Sequence, residues 1–160
     1  MLKALIKLAA YTGCRIEELC SLKIENVQDD KFEVVFAKSE AGWRTIPINK
    51  NIKDLVAKLV DVADGEYLIS GLSFNKYRDR SNAIGKRFGR LKVSLGYGPD
   101  YVFHSLRKGF ATQLESAGVS ENTAARLMGH TMEGETFGNY SDGLVFKRLK
   151  DAVEKVDWKN

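Results

Sequence analysis

Apolar side chains fall at positions 2, 5, 6, 8 and 9, the spacing of one helix face, and the run breaks at Thr12-Gly13. Residues 15–22 resume helical spacing, so the chain opens as two helices around a tight turn. The period then changes. Residues 32–37 and 44–48 are rich in β-formers and flank Ser39-Glu40-Ala41-Gly42, which predicts a hairpin with Lys38 at its near shoulder. Pro47 either ends the second strand early or places it at an edge. Ile52, Leu55, Val56, Leu59 and Val60 restore a helix over 51–62 that stops at Asp64-Gly65, and 67–69 reads as a short strand.

The second half is helical by the same criterion. A helix over 79–95 runs into the loop Gly96-Tyr97-Gly98-Pro99, and another opens at His104 and runs to about Ala117, where Gly118 closes it. Ser120 caps a further helix that ends at Met128, with Gly129 as its stop and His130 immediately after. Residues 131–134 read as a turn and 135–140 as a short helix or extended piece. Residues 144–156 form an amphipathic helix with Val145, Leu149, Ala152, Val153 and Val156 along one side. The expected fold is mixed α+β, predominantly helical, with one small antiparallel sheet.

A hydrophobic fraction of 44% over 160 residues suits one globular domain spanning 1–160. No window approaches the run of about 18 apolar residues that a membrane span needs, and no basic stretch leads into an apolar run at the start. These patterns speak against membrane and secreted classes. Cys14 and Cys20 would point to different sides of one helix, so free thiols in a reducing cytoplasm are expected. With two Cys and two His, widely separated, no closed zinc site can be spelled, and neither a metal nor a cofactor is expected.

A net charge of +4 decides little, but its distribution says more. Lys76, Arg78, Arg80, Lys86, Arg87, Arg90 and Lys92 face one acid, Asp79, in the same stretch. Such a run is either a phosphate-binding surface or a solvated helix face.

Cutting a phosphodiester without a metal requires a nucleophile, cationic donors for the phosphoryl oxygens, and a proton donor for the departing oxygen. Arg15 and Arg107 each stand at the start of an expected helix, where the backbone dipole also favours an anion. Their planar forks bind phosphate oxygens in pairs. His104 lies one helical turn before Arg107, and His130 follows a helix stop; near neutral pH either can donate a hydrogen bond or move a proton.

Thr12-Gly13-Cys14-Arg15-Ile16-Glu17-Glu18-Leu19, Ala37-Lys38-Ser39 leading to Arg44-Thr45-Ile46-Pro47-Ile48, His104-Ser105-Leu106-Arg107, Leu127-Met128-Gly129-His130 and Tyr140-Ser141 resemble, in order, the catalytic domain of the tyrosine recombinases, the phage-integrase family. Each motif alone is common; five in sequence are specific. The resemblance implies that Tyr140 attacks a DNA phosphodiester to leave a 3′-phosphotyrosyl enzyme and a free 5′-hydroxyl, with no nucleotide cofactor. It also implies that Arg15, Arg107 and His130 bind the non-bridging oxygens, that His104 accepts a proton, and that Lys38 protonates the leaving oxygen. Arg44 and Lys31 are rivals to Lys38, and Glu18 is expected to orient Arg15. Lys108 stands where the family often carries His.

By the same resemblance the partner is double-stranded DNA, contacted by Lys76, Arg78, Arg80, Lys86, Arg87 and Arg90. The chain is expected to be a domain of a longer protein with an N-terminal DNA-binding domain, working in the cytoplasm. Residues 144–158 are expected either to dock on a neighbouring copy or to pack on their own domain. A type IB-like topoisomerase and a non-enzymatic DNA-binding module on the same fold are the alternative functions.

Overall fold

A computed structural model describes residues 1–35, 43–130 and 142–158. Lys38, the turn 39–42, the stretch 131–141 and Tyr140 within it lie outside the described residues. The elements are α1 (Leu2–Thr12), α2 (Ile16–Cys20), a 3-10 turn (Ile24–Asn26), β1 (Lys31–Val34), β2 (Arg44–Pro47), α3 (Lys50–Asp61), α4 (Asn82–Ser94), α5 (His104–Ser116), α6 (Glu121–Met128) and α7 (Asp142–Glu154). The fold is mixed α+β, mostly helical, with β1 and β2 forming a small antiparallel sheet.

Local chemistry explains most boundaries. Gly13 ends α1 with φ +64°, a left-handed conformation that places its N–H 2.9 Å from the Ala9 carbonyl. A Cβ at Gly13 would stand 2.4 Å from Cδ1 of Phe110, so the close approach of α1 to α5 also depends on glycine. In the sheet, Phe32 pairs with Ile46 and Val34 with Arg44. Phe32 and Val34 are buried while Lys31 and Glu33 are half-covered, the alternation of a strand with one face on the core. Asn49 caps α3 by accepting from the Asn51 N–H at 2.7 Å, and its amide donates to the Val153 and Val156 carbonyls at 2.7 and 3.0 Å.

Two expectations are corrected. Residues 67–69 form no strand: Tyr67 bridges Lys23 alone, because the partner segment turns at once into Ile24–Asn26. The helix expected from Asp79 begins at Asn82. The Asp79 carboxylate accepts from the Ser81 N–H at 2.7 Å, and Glu17 accepts from the N–H groups of Arg80 and Ser81 at 3.0 and 2.8 Å, so side chains hold this backbone in a loop. Of the two arrangements expected for the C-terminal segment, the structure has it packed on its own domain. Leu149, Ala152, Val153 and Val156 are buried in this chain's own core beside Leu127, Ile46 and Ile48, and Trp158 donates to the Ala10 carbonyl at 2.8 Å. Cys14 and Cys20 are free and buried. Burial pushes the Cys14 thiol up to about 11 and the Cys20 thiol up to about 12, so neither is a thiolate nucleophile near neutral pH. Among the described residues no helix is long and apolar enough to cross a membrane.

Candidate active site

Arg15 is the residue before the first turn of α2, in extended backbone that Gly13 directs out of α1. Its own N–H donates to Oε2 of Glu18 at 2.7 Å and its guanidinium Nη1 to Oε1 at 2.7 Å. One carboxylate therefore fixes both the backbone and the side chain of Arg15, whose side chain remains 44% exposed. Glu18 itself is buried. Burial raises its pKa, but hydrogen bonds and charge from Arg44 and then Arg15 outweigh that and hold the carboxyl below the usual range, so it is ionised.

Arg107 occupies the first turn of α5, where its side chain turns inward. Nη1 donates to the Gly13 carbonyl at 2.7 Å, and Nη2 donates to the Met128 carbonyl. The residue is 2% exposed. Burial, with the neighbouring charges of Arg15 and Arg44, pushes its pKa down to about 10, still well above neutrality. Gly13 lies two residues before Arg15 and Met128 two before His130, so one guanidinium joins the three segments that carry the other charged groups.

Both histidines are open to solvent, at the start of α5 and just beyond α6. The pKa of His104 is lowered by partial burial and by Arg107, Lys108 and Arg15. That of His130 is lowered by partial burial and by Arg107, Arg15, Arg44 and His104. Each is neutral near pH 7, with one ring nitrogen free to accept a proton and the other to donate. These mutual influences mark Arg15, His104, Arg107 and His130 as one electropositive cluster.

Arg44, read from the sequence as a rival to Lys38 for the hairpin cation, is a buried connector with a side chain 6% exposed. It donates to Glu18 at 2.8 and 3.2 Å and, through Nε, to the Leu127 carbonyl at 2.8 Å. The motif Arg-x-x-Pro located it, but only packing reveals that it faces inward.

The basic stretch divides in two. Lys76, Arg78, Lys86, Arg87 and Arg90 are exposed, the last three on neighbouring turns of α4. Arg80 does not belong with them: it is 3% exposed, its guanidinium carbon lies 3.4 Å from the centre of the Tyr67 ring, and Nη2 donates to the Ile69 and Leu72 carbonyls. Stacking on an aromatic face and filling carbonyls makes it a core element, so the expected DNA contact is withdrawn. Among the described residues no three His, Cys, Asp or Glu side chains are grouped to hold a metal ion.

The described constellation follows the order of a known family. The phage integrase family matches residues 1–144. The chain belongs to that family. Among curated members it is 31% identical to the tyrosine recombinase XerA of Pyrococcus furiosus and 29% identical to XerA of Pyrococcus horikoshii, covering 96% of this chain and 54% of each relative. The chain thus spans about half the length of these integrase-family relatives. The integrase of mycobacterium phage Brujita has the same fold, with a TM-score of 0.74 over 98% of this chain and 51% of that one at 22% identity. A lambda integrase tetramer bound to a Holliday junction superposes with a TM-score of 0.64 at 25% identity, over 84% of this chain and 42% of that one.

Proposed function

We propose that this chain is the catalytic domain of a tyrosine-type site-specific DNA recombinase, which breaks and rejoins strands through a 3′-phosphotyrosyl intermediate. The observation that carries the reading is the junction at Arg107, whose guanidinium holds the carbonyls of Gly13 and Met128 and so gathers Arg15, His104 and His130 around one spot.

In this reading the phenolic oxygen of Tyr140 attacks the phosphorus, His104 takes the phenolic proton, and the 5′-oxygen leaves with a proton from Lys38. A free tyrosine is about a thousandth ionised at pH 7, so a neutral imidazole and nearby positive charge are what the nucleophile needs. Arg15, Arg107 and His130 bind the non-bridging oxygens. The pentavalent state carries more negative charge there than the diester, so the same donors bind it more tightly than the substrate. A guanidinium has five N–H groups, and the two carbonyls leave Arg107 others for phosphate. The roles of Tyr140 and Lys38 rest on their sequence positions within the family pattern.

Double-stranded DNA is the proposed partner, with Lys76, Arg78, Lys86, Arg87 and Arg90 supplying salt-sensitive phosphate contacts. Copies are proposed to assemble on DNA. With the apolar side of α7 packed at home, exposed residues such as Leu144 are those left for a neighbour.

The test is covalent trapping on a nicked suicide duplex, comparing wild type with Tyr140→Phe. Wild type is expected to form an adduct and the variant none. An adduct in the Phe variant moves the nucleophile elsewhere, and retention of DNA without any adduct favours a binding module.

A further inference from the structure

We propose that Arg44 is a positioning residue that sets the spacing between the Arg15 side and the His130 side of the phosphate site; this rests on the recombinase reading above. Arg15 is held by Glu18 at both its N–H and its guanidinium. The same two carboxylate oxygens also accept from Nη1 and Nη2 of Arg44, at 3.2 and 2.8 Å. Any displacement of Glu18 is therefore passed to Arg15.

The third direction of the fork goes elsewhere. Nε donates to the carbonyl of Leu127 at 2.8 Å, in the last turn of α6, where carbonyls have no partner within the helix. The next carbonyl, Met128, is held by Arg107, so two guanidiniums secure consecutive carbonyls just before Gly129 and His130. Gly129 is itself shaped to this contact: with φ +61°, a Cβ there would lie 2.9 Å from Nη1 of Arg44. The path Arg15, Glu18, Arg44, Leu127, His130 thus runs through one planar group with fixed angles between its donors. A lysine ammonium keeps the charge but lacks the planar fork that holds both carboxylate oxygens and a separate carbonyl together. Arg44 also stands on β2 opposite Val34, so the two-stranded sheet is anchored to the same point.

The experiment compares wild type, Arg44→Lys, Arg44→Met, Arg15→Lys and the Arg15→Lys/Arg44→Lys double variant. In DNA-free protein, nitrogen-detected NMR of the Arg15 guanidinium and the His130 ring is expected to move in Arg44→Lys at temperatures where the protein is folded. Unchanged signals at both residues overturn the proposal. On the suicide duplex at saturating DNA, Arg44→Lys is expected to slow adduct formation by about tenfold to a hundredfold, the scale of a small misplacement at the reacting centre. DNA retention is expected to stay within about twofold, and the double variant to be little slower than Arg15→Lys alone, because both changes act through one contact. Multiplying losses, or equal losses of retention and rate, overturn it. A wild type that yields no adduct counts against the recombinase reading, while the NMR arm still decides Arg44. If Arg44→Met does not fold, Arg44→Lys carries every measurement.

Discussion

Arg15 and Arg107 serve the site in opposite ways, and their variants should separate accordingly. Arg15 is solvent-facing and, among the described residues, tied to Glu18, whereas Arg107 is buried and satisfies two carbonyls from different elements. Arg15→Ala is expected to abolish adduct formation while DNA retention and urea stability change little. Arg107→Ala is expected to abolish it too, and also to cost about 1–3 kcal/mol in urea denaturation, since two buried acceptors lose their donor. Equal stability for the two variants would contradict the connector role of Arg107.

The histidines give a pH dependence whose sign is fixed by their surroundings. Partial burial and flanking cations hold both below the ordinary value near 6.5, so the unfolded chain binds protons more readily than the folded one. Their contribution to stability is complete above about pH 6.5 and is lost as pH falls toward their folded pKa values. For the same reason the acid limb of the second-order rate of adduct formation, which reports the free enzyme, should lie below about pH 6.5. A limb above that value in wild type would sink the assignment of a neutral His104 as base.

At the level of elements, α4 illustrates both the reach and the limit of pattern reading. Its charges and its helical spacing are local properties and were visible along the chain. Its start was not, because the N–H groups of Arg80 and Ser81 are claimed by Glu17, 63 and 64 residues away. Glu17 also accepts from the Ser21 hydroxyl at 2.7 Å, so it pins the approach to α4 onto α2. Glu17→Ala is expected to cost about 1–3 kcal/mol by leaving buried donors unpaired, measured by urea denaturation, with the adduct pH profile unchanged. The two classes of basic residue should also part. Each of Lys86→Ala, Arg87→Ala and Arg90→Ala is expected to lower the salt slope of DNA binding by about one, as the loss of one phosphate contact does. Arg80→Ala should leave the slope alone and lower stability instead. A reduced slope in Arg80→Ala would return that residue to the DNA surface.

For the whole molecule, the critical joint is where α1 meets α5. Gly13 turns the chain toward Arg15, lends its carbonyl to Arg107 and leaves room for Phe110. Gly13→Ala combines a left-handed φ with a collision at 2.4 Å, so it is expected to cost more than about 2 kcal/mol and to depress adduct formation, read by thermal unfolding and trapping on the same sample. A second closure lies at the C-terminal end, where the Trp158 ring crosses α5 so closely that a Cβ on Gly109 would be 2.6 Å from it.

Periodicity, caps and turn residues act over a few positions, which is why the main helices, the two paired strands, the stops at Gly13 and Gly129, and the order of the family motifs could be read from the chain alone. Burial works differently. Whether an arginine meets water, a carbonyl or a ring depends on what other elements lay over it, and neither Arg44, Arg80 nor Arg107 differs in local pattern from an exposed neighbour. Packing turned Arg80 onto Tyr67, Arg44 onto Glu18 and Leu127, and Arg107 onto Gly13 and Met128, since a buried charge survives only where distant parts of the chain bring it acceptors.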